Sequence, residues 1–107
     1  MRDHRDIDRR SRAFGEAIAA RLQERPQLVS IARANLARWR LTASVLPALD
    51  QWSAAVEGPF EKRLELLTSP DERATQLRQS NPFGEVLTEA QRNRILREFA
   101  AHEAQRA

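Results

Sequence analysis

At 107 residues, with 41% apolar and 31% charged side chains, the chain has room for one domain with a thin core and a heavily solvated exterior. It has no cysteine, which excludes disulfides and thiol-based metal or redox sites. The opening MRDHRDIDRRSR has no apolar h-region, and no segment approaches the roughly 20 apolar residues of a membrane span, so the expectation is a soluble cytoplasmic protein.

Net charge is +3, and all basic residues but Lys62 are arginine, a bias that reads more readily as GC-rich coding than as a physical demand. Placement is uneven. Residues 21–49 hold five arginines against Glu24, whereas residues 50–72 hold six acids against Lys62 and Arg63. Such a dipolar surface suits a protein partner as well as a nucleic acid.

Apolar residues recur at helical spacing almost throughout. Phe14, Ile18 and Leu22, joined by Ala17 and Arg21, form one stripe on a helix over 5–24, with residues 1–12 expected to fray. Pro26 suits the first turn of a second helix bearing Leu28, Ile31, Ala32, Leu36 and Trp39. Asn35 interrupts that face, as a buried polar group with a partner or as a wet spot. Thr42–Leu46 reads as a connection, and Pro47 opens a third helix with Leu49, Trp52 and Val56, stopped by Gly58-Pro59. A fourth uses Phe60, Leu64 and Leu67, with Lys62 and Arg63 on its wet side. SPDE at 69–72 reads as a capping box with Ser69 as cap, Pro70 at the first helical position and Glu72 reaching back. The helix behind it runs to about Gln79 and buries Ala74 and Leu77. TEAQ at 88–91 repeats the pattern ahead of a sixth helix with Ile95, Leu96 and Phe99, which fades into a tail at 101–107. The expected fold is a single all-α domain over residues 1–107, a compact bundle of five or six short helices.

Catalytic chemistry is hard to assemble from this inventory. There is no Cys or Tyr, His4 and His102 sit near opposite ends, and three glycines cannot build a phosphate-cradling loop. No His or carboxylate set has metal-ligand spacing. The reading is a non-enzyme without cofactor or metal. Arg33, Arg38 and Arg40, or Arg92, Arg94 and Arg97, are placed to meet phosphates, although Glu89 and Glu98 offer the latter three ordinary helical pairings. Both tryptophans fall on apolar faces, with Trp39 read as the core residue and Trp52 as the more open to anchoring a partner.

The segment LRQSNPFGEVLT, residues 77–88, stands apart. Pro82 drives Asn81 out of the helical region, and Phe83, Val86 and Leu87 are too apolar to lie free in water. They either fold back as a lid on the bundle or form a patch that a partner covers.

From Trp52 to Phe99 the pattern resembles the C-terminal half of small bacterial helical proteins found beside nucleotidyltransferase-type toxins, the MenA-like antitoxins. Trp52, Gly58-Pro59, the LRQ of Leu77 to Gln79, Pro82-Phe83, Val86-Leu87 and Arg92, Ile95, Leu96 and Phe99 carry it, with RANLARW at 33–39 matching more weakly. The resemblance implies a type II toxin–antitoxin pair in which this chain inhibits a toxin that transfers nucleotides to RNA, such as tRNA acceptor ends, and in which catalysis belongs to the partner. On this reading the partner-binding candidates are Trp52, Arg78, Asn81, Pro82, Phe83, Val86, Leu87 and Arg92. Two alternatives stand beside it: a nucleic-acid-binding transcriptional regulator, and a homo-oligomeric helical protein whose patch closes on a second copy.

Overall fold

The computed structural model describes residues 4–42 and 47–106. Among them are six α-helices and no strand: α1 (His4–Glu24), α2 (Val29–Thr42), α3 (Pro47–Glu57), α4 (Phe60–Thr68), α5 (Glu72–Leu77) and α6 (Glu89–Arg106). Single 3-10 turns lie at Pro26–Leu28, Arg78–Ser80 and Gly84–Val86. The all-α bundle expected from apolar spacing is therefore present. Of the segment expected to fray, residues 1–3 lie outside the described residues and the rest is helical from His4; the tail is helical to Arg106. Ala43–Leu46, most of the expected connection, is also outside them.

Punctuation follows local chemistry, with two shifts from expectation. Pro26 opens a 3-10 turn, and the α-helix proper starts at Val29. At SPDE the cap moves by two residues. Asp71, not Ser69, is the N-cap of α5, its carboxylate accepting from Ala74 N at 2.7 Å. Ser69 instead closes α4, its backbone N–H bonded to Glu65 O at 2.9 Å. Its hydroxyl accepts from Asp71 N at 3.2 Å. An ionised Asp is the better acceptor for a helix N-terminus, and Pro70 keeps Ser69 extended. The TEAQ box forms as read: Gln91 N donates to Thr88 Oγ1 at 3.1 Å and Thr88 N to Gln91 Oε1 at 2.8 Å.

Helix α1 is the spine. Its buried face, Gly15, Ile18, Ala19 and Leu22, packs mainly on α4. Helices α2 and α3 pair as a hairpin that supplies Ala32, Leu36, Leu49, Trp52, Ala55 and Val56 to the same core. The basic α2 and the acidic α3 compensate each other directly, through Arg33 to Glu57 at 2.8 Å and Arg40 to Asp50 at 3.2 Å. Two of the six acids in residues 50–72 are thus paired with arginines of α2.

In α4 only Leu67 is fully buried, and Leu64 is 38% exposed. Arg63, expected on the wet side, turns back over the end of α3. Its Nε donates to Ala55 O at 3.1 Å and its Nη2 to Val56 O at 3.3 Å and Gly58 O at 3.0 Å. Those carbonyls have no intrahelical donor past Glu57, and a guanidinium supplies several at once, with charge matched to the helix dipole.

Candidate functional site: the 78–87 loop and the seam between α1 and α6

Pro82 imposes extended geometry on Asn81 (φ −79°, ψ 116°), whose side chain accepts from Phe83 N at 2.8 Å. This Asx turn points the Phe83 ring inward. The ring is fully buried and meets Trp52 at 5.8 Å between centroids with planes tilted by 60°, a favourable aromatic pair. Trp52 is itself fully buried, and its indole N–H donates to Leu77 O at 3.0 Å.

The loop is held from three sides. Asn35 Nδ2 donates to Pro82 O at 2.9 Å and to Glu85 Oε2 at 2.8 Å, and Asn35 Oδ1 accepts from Arg38. Asn35 is therefore a buried polar group with all its partners rather than a wet spot. Arg21, half-buried on α1, donates from Nε to Val86 O at 2.8 Å. From α6, Arg92 Nη2 reaches Gly84 O at 2.8 Å.

Arg78 is 7% exposed. It joins α1, α4 and α5 by donating to Ser11 Oγ at 2.5 Å, Leu66 O at 2.9 Å and Thr75 Oγ1 at 3.2 Å. Burial lowers its pKa and Arg12 adds repulsion, while Asp8 and Asp71 act in the opposite sense. A guanidinium so placed stays protonated at ordinary pH, so a full positive charge sits among neutral contacts.

Most of the eight partner-binding candidates lie inside the bundle in this structure. Trp52, Arg78, Pro82, Phe83, Val86 and Leu87 are buried, and in this conformation their side chains serve the bundle. The lid alternative is the one that the structure adopts. Trp39, read as the core tryptophan, is only partly buried, because it lies near the end of α2 while Trp52 lies mid-helix in α3. Asn81 is half-buried and Arg92 is exposed, so these two keep access to the outside.

Among the described residues the exposed large apolar side chains are Leu41 on α2, Leu64 on α4 and Leu96 on α6, and two clefts lie beside the α1–α6 seam. Helix α6 packs chiefly on α1, through the half-buried Ile95 and Phe99; Arg10 stands over the Phe99 ring at 5.9 Å. Leu96, expected on the apolar face, is 37% exposed. One flank of the seam opens into a cleft of about 220 Å³ lined by Ala17, Ala20 and Ile95 and by the polar Arg21, Glu24, Gln91 and Arg94. On the other flank a cleft of about 280 Å³ lies over Phe14, Ile18 and Leu87, with Arg78 and Arg92 on its walls. Sequence reasoning misses Ser11 and Phe14 here. Ser11 carries no local signal, and Phe14 reads as an ordinary core position.

Among the described residues no group of three or more His, Asp or Glu side chains is placed to hold a metal, and no helix is long and apolar enough to cross a membrane. Comparison with known protein families, curated proteins and solved structures finds no match to this chain.

Proposed function

We propose that the chain is a non-catalytic protein-binding module, and that it acts as the antitoxin of a type II pair by occluding a nucleotidyltransferase-like toxin that modifies tRNA. One observation carries the binding half of this reading. Helix α6 leaves Leu96 exposed and Ile95 and Phe99 half-covered, with a cleft of mixed polar and apolar lining between α1 and α6 beside Ile95, an arrangement that a partner helix or loop completes. The antitoxin half rests on the resemblance between Trp52 and Phe99. The interface moves accordingly from the loop, whose aromatic side chain is in the core, to the outer flank of α6, with Arg92 at its edge.

The test is co-purification of the tagged chain expressed with its genomic neighbours, through high salt, with identification by mass spectrometry. The expected result is a stoichiometric nucleotidyltransferase-like protein that Leu96→Asp releases without loss of helix content, together with rescue of growth by the wild-type chain. Recovery of the chain alone as a symmetric dimer, or only with nucleic acid that salt removes, would replace this reading with the homo-oligomer or the regulator. Arg33 and Arg40 are already engaged by Glu57 and Asp50, which leaves the regulator fewer free cations on α2.

A further inference from the structure

We propose that the cleft between α1, the 78–87 loop and the root of α6 binds a small organic carboxylate carried on a short apolar body. Two guanidinium groups, Arg78 and Arg92, line this cleft, and among the described residues no acidic one does. Arg78 is buried, yet its three hydrogen bonds go to two hydroxyls and one backbone carbonyl. No carboxylate is in ion-pair contact with it among the described residues; Asp8 and Asp71 act on it only through space. A guanidinium carries five N–H donors, so two of Arg78's remain, one on each terminal nitrogen. Arg92 spends one donor on Gly84 O at 2.8 Å and keeps the others.

The rest of the cleft selects what kind of anion enters. Phe14, Ile18 and Leu87 make an apolar floor, and Ser11 and Asn81 add polar atoms at the cationic side. A bare anion such as inorganic phosphate would leave that floor wetted. A carboxylate with a few carbons or a ring fills it while accepting from the two arginine forks, the bidentate geometry for which arginine is suited. At about 280 Å³ the cleft falls just below the roughly 300 Å³ at which ligand sites begin, so the ligand is the size of an amino acid or a short-chain acid. The protein-binding reading concerns the outer flank of α6 and shares only Arg92 with this cleft.

The experiment is a titration of the ¹⁵N-labelled full chain with 4-phenylbutyrate, followed by amide and arginine Nε resonances, with 4-phenylbutan-1-ol and inorganic phosphate as comparators. Expected are saturable shifts confined to Ser11, Arg78 Nε, the Asn81 side chain, Gly84 and Leu87, with the alcohol weaker by about tenfold or more, as loss of a charged contact predicts. Phosphate alone should give no saturable shift. Arg92→Gln, which also gives up the bond to Gly84 O, should weaken the acid by a similar factor while the Phe83 and Val86 amide resonances keep their positions. Equal binding of acid and alcohol, undiminished binding to Arg92→Gln, or the same shifts from phosphate would each overturn the assignment. So would a short Phe-Asp-containing peptide that binds the same resonances far more tightly than the free acid, since the cleft would then belong to a protein partner's side chain.

Discussion

Gly15 of α1 faces the carbonyl of Leu67 in α4 so closely that a Cβ on Gly15 would stand 1.7 Å from that oxygen. The two backbones touch, and this contact sets the crossing of the helix pair that anchors the bundle. Overpacking costs about 1–3 kcal/mol, occasionally more, against about 1 kcal/mol of helix propensity that alanine returns. The obstructing atom is backbone, so relief requires moving a helix, and the cost wins. Gly15→Ala should lower the urea midpoint; an unchanged or higher midpoint would show that α1 and α4 can separate freely.

Phe83 is a core residue, and its substitution should behave as one. Removing a buried phenylalanine ring costs about 3–5 kcal/mol, a large part of the roughly 5–15 kcal/mol that holds a domain together. Phe83→Ala should therefore lose most of its cooperative unfolding transition, and Phe83→Asp should unfold. The reading in which Phe83→Asp keeps its helix content and loses only a partner requires an exposed ring. Circular dichroism of that variant at 25 °C is the direct check.

Asn35 holds the loop against α2 by giving both its amide protons to oxygens of residues 82 and 85. In Asn35→Ala the Pro82 carbonyl loses its buried donor, a change of about 1–3 kcal/mol. Asn35→Asp should be worse, because it places a carboxylate against two acceptors. If both variants unfold like wild type in a thermal melt, the Asn35 bonds contribute nothing to holding the loop.

The acid limb of stability should depend on Asp71. Its hydrogen bonds from Ala74 N and with Ser69 hold its pKa below the ordinary aspartate value, and Glu57 is lowered by Arg33 in the same sense. A carboxylate whose folded pKa is depressed contributes stability that is present above its unfolded pKa, about 3.9 for Asp, and lost as pH falls through the folded value. Asp71→Ala should be less stable at pH 7, and its urea midpoint should fall less steeply than that of wild type below about pH 4. Parallel acid limbs would mean that the cap bond is not made in solution.

Helix number, helix class and most helix ends were legible in the sequence because the forces behind them are local. A period near 3.6 exposes a stripe, proline cannot sit inside a helix, and Thr88 and Gln91 satisfy each other within one turn. Even the local reading slipped where two good caps stood two residues apart, since Ser69 and Asp71 compete and only the path of the chain from α4 selects the carboxylate.

The site was legible to a smaller extent. The 78–87 loop was singled out by its proline and its apolar residues, but not the direction in which Phe83 turns. That depends on a turn at Asn81 meeting a ring on α3 and an amide on α2, residues 31 and 48 positions away in the chain. The arginines show the same limit. Composition marks them as a surface excess, whereas Arg21, Arg63 and Arg78 each finish at part-buried backbone carbonyls of the chain itself.

By itself, then, the sequence determined an all-α chain, its helix boundaries to within a turn, and the absence of thiol chemistry, since each follows from residue type and short-range spacing. Only the tertiary structure decided which tryptophan is buried, that Phe83 closes the core, and that Arg78 and Arg92 share one cleft with Phe14. Those outcomes depend on which faces meet across dozens of residues, and burial and hydrogen bonding act through space rather than along the chain.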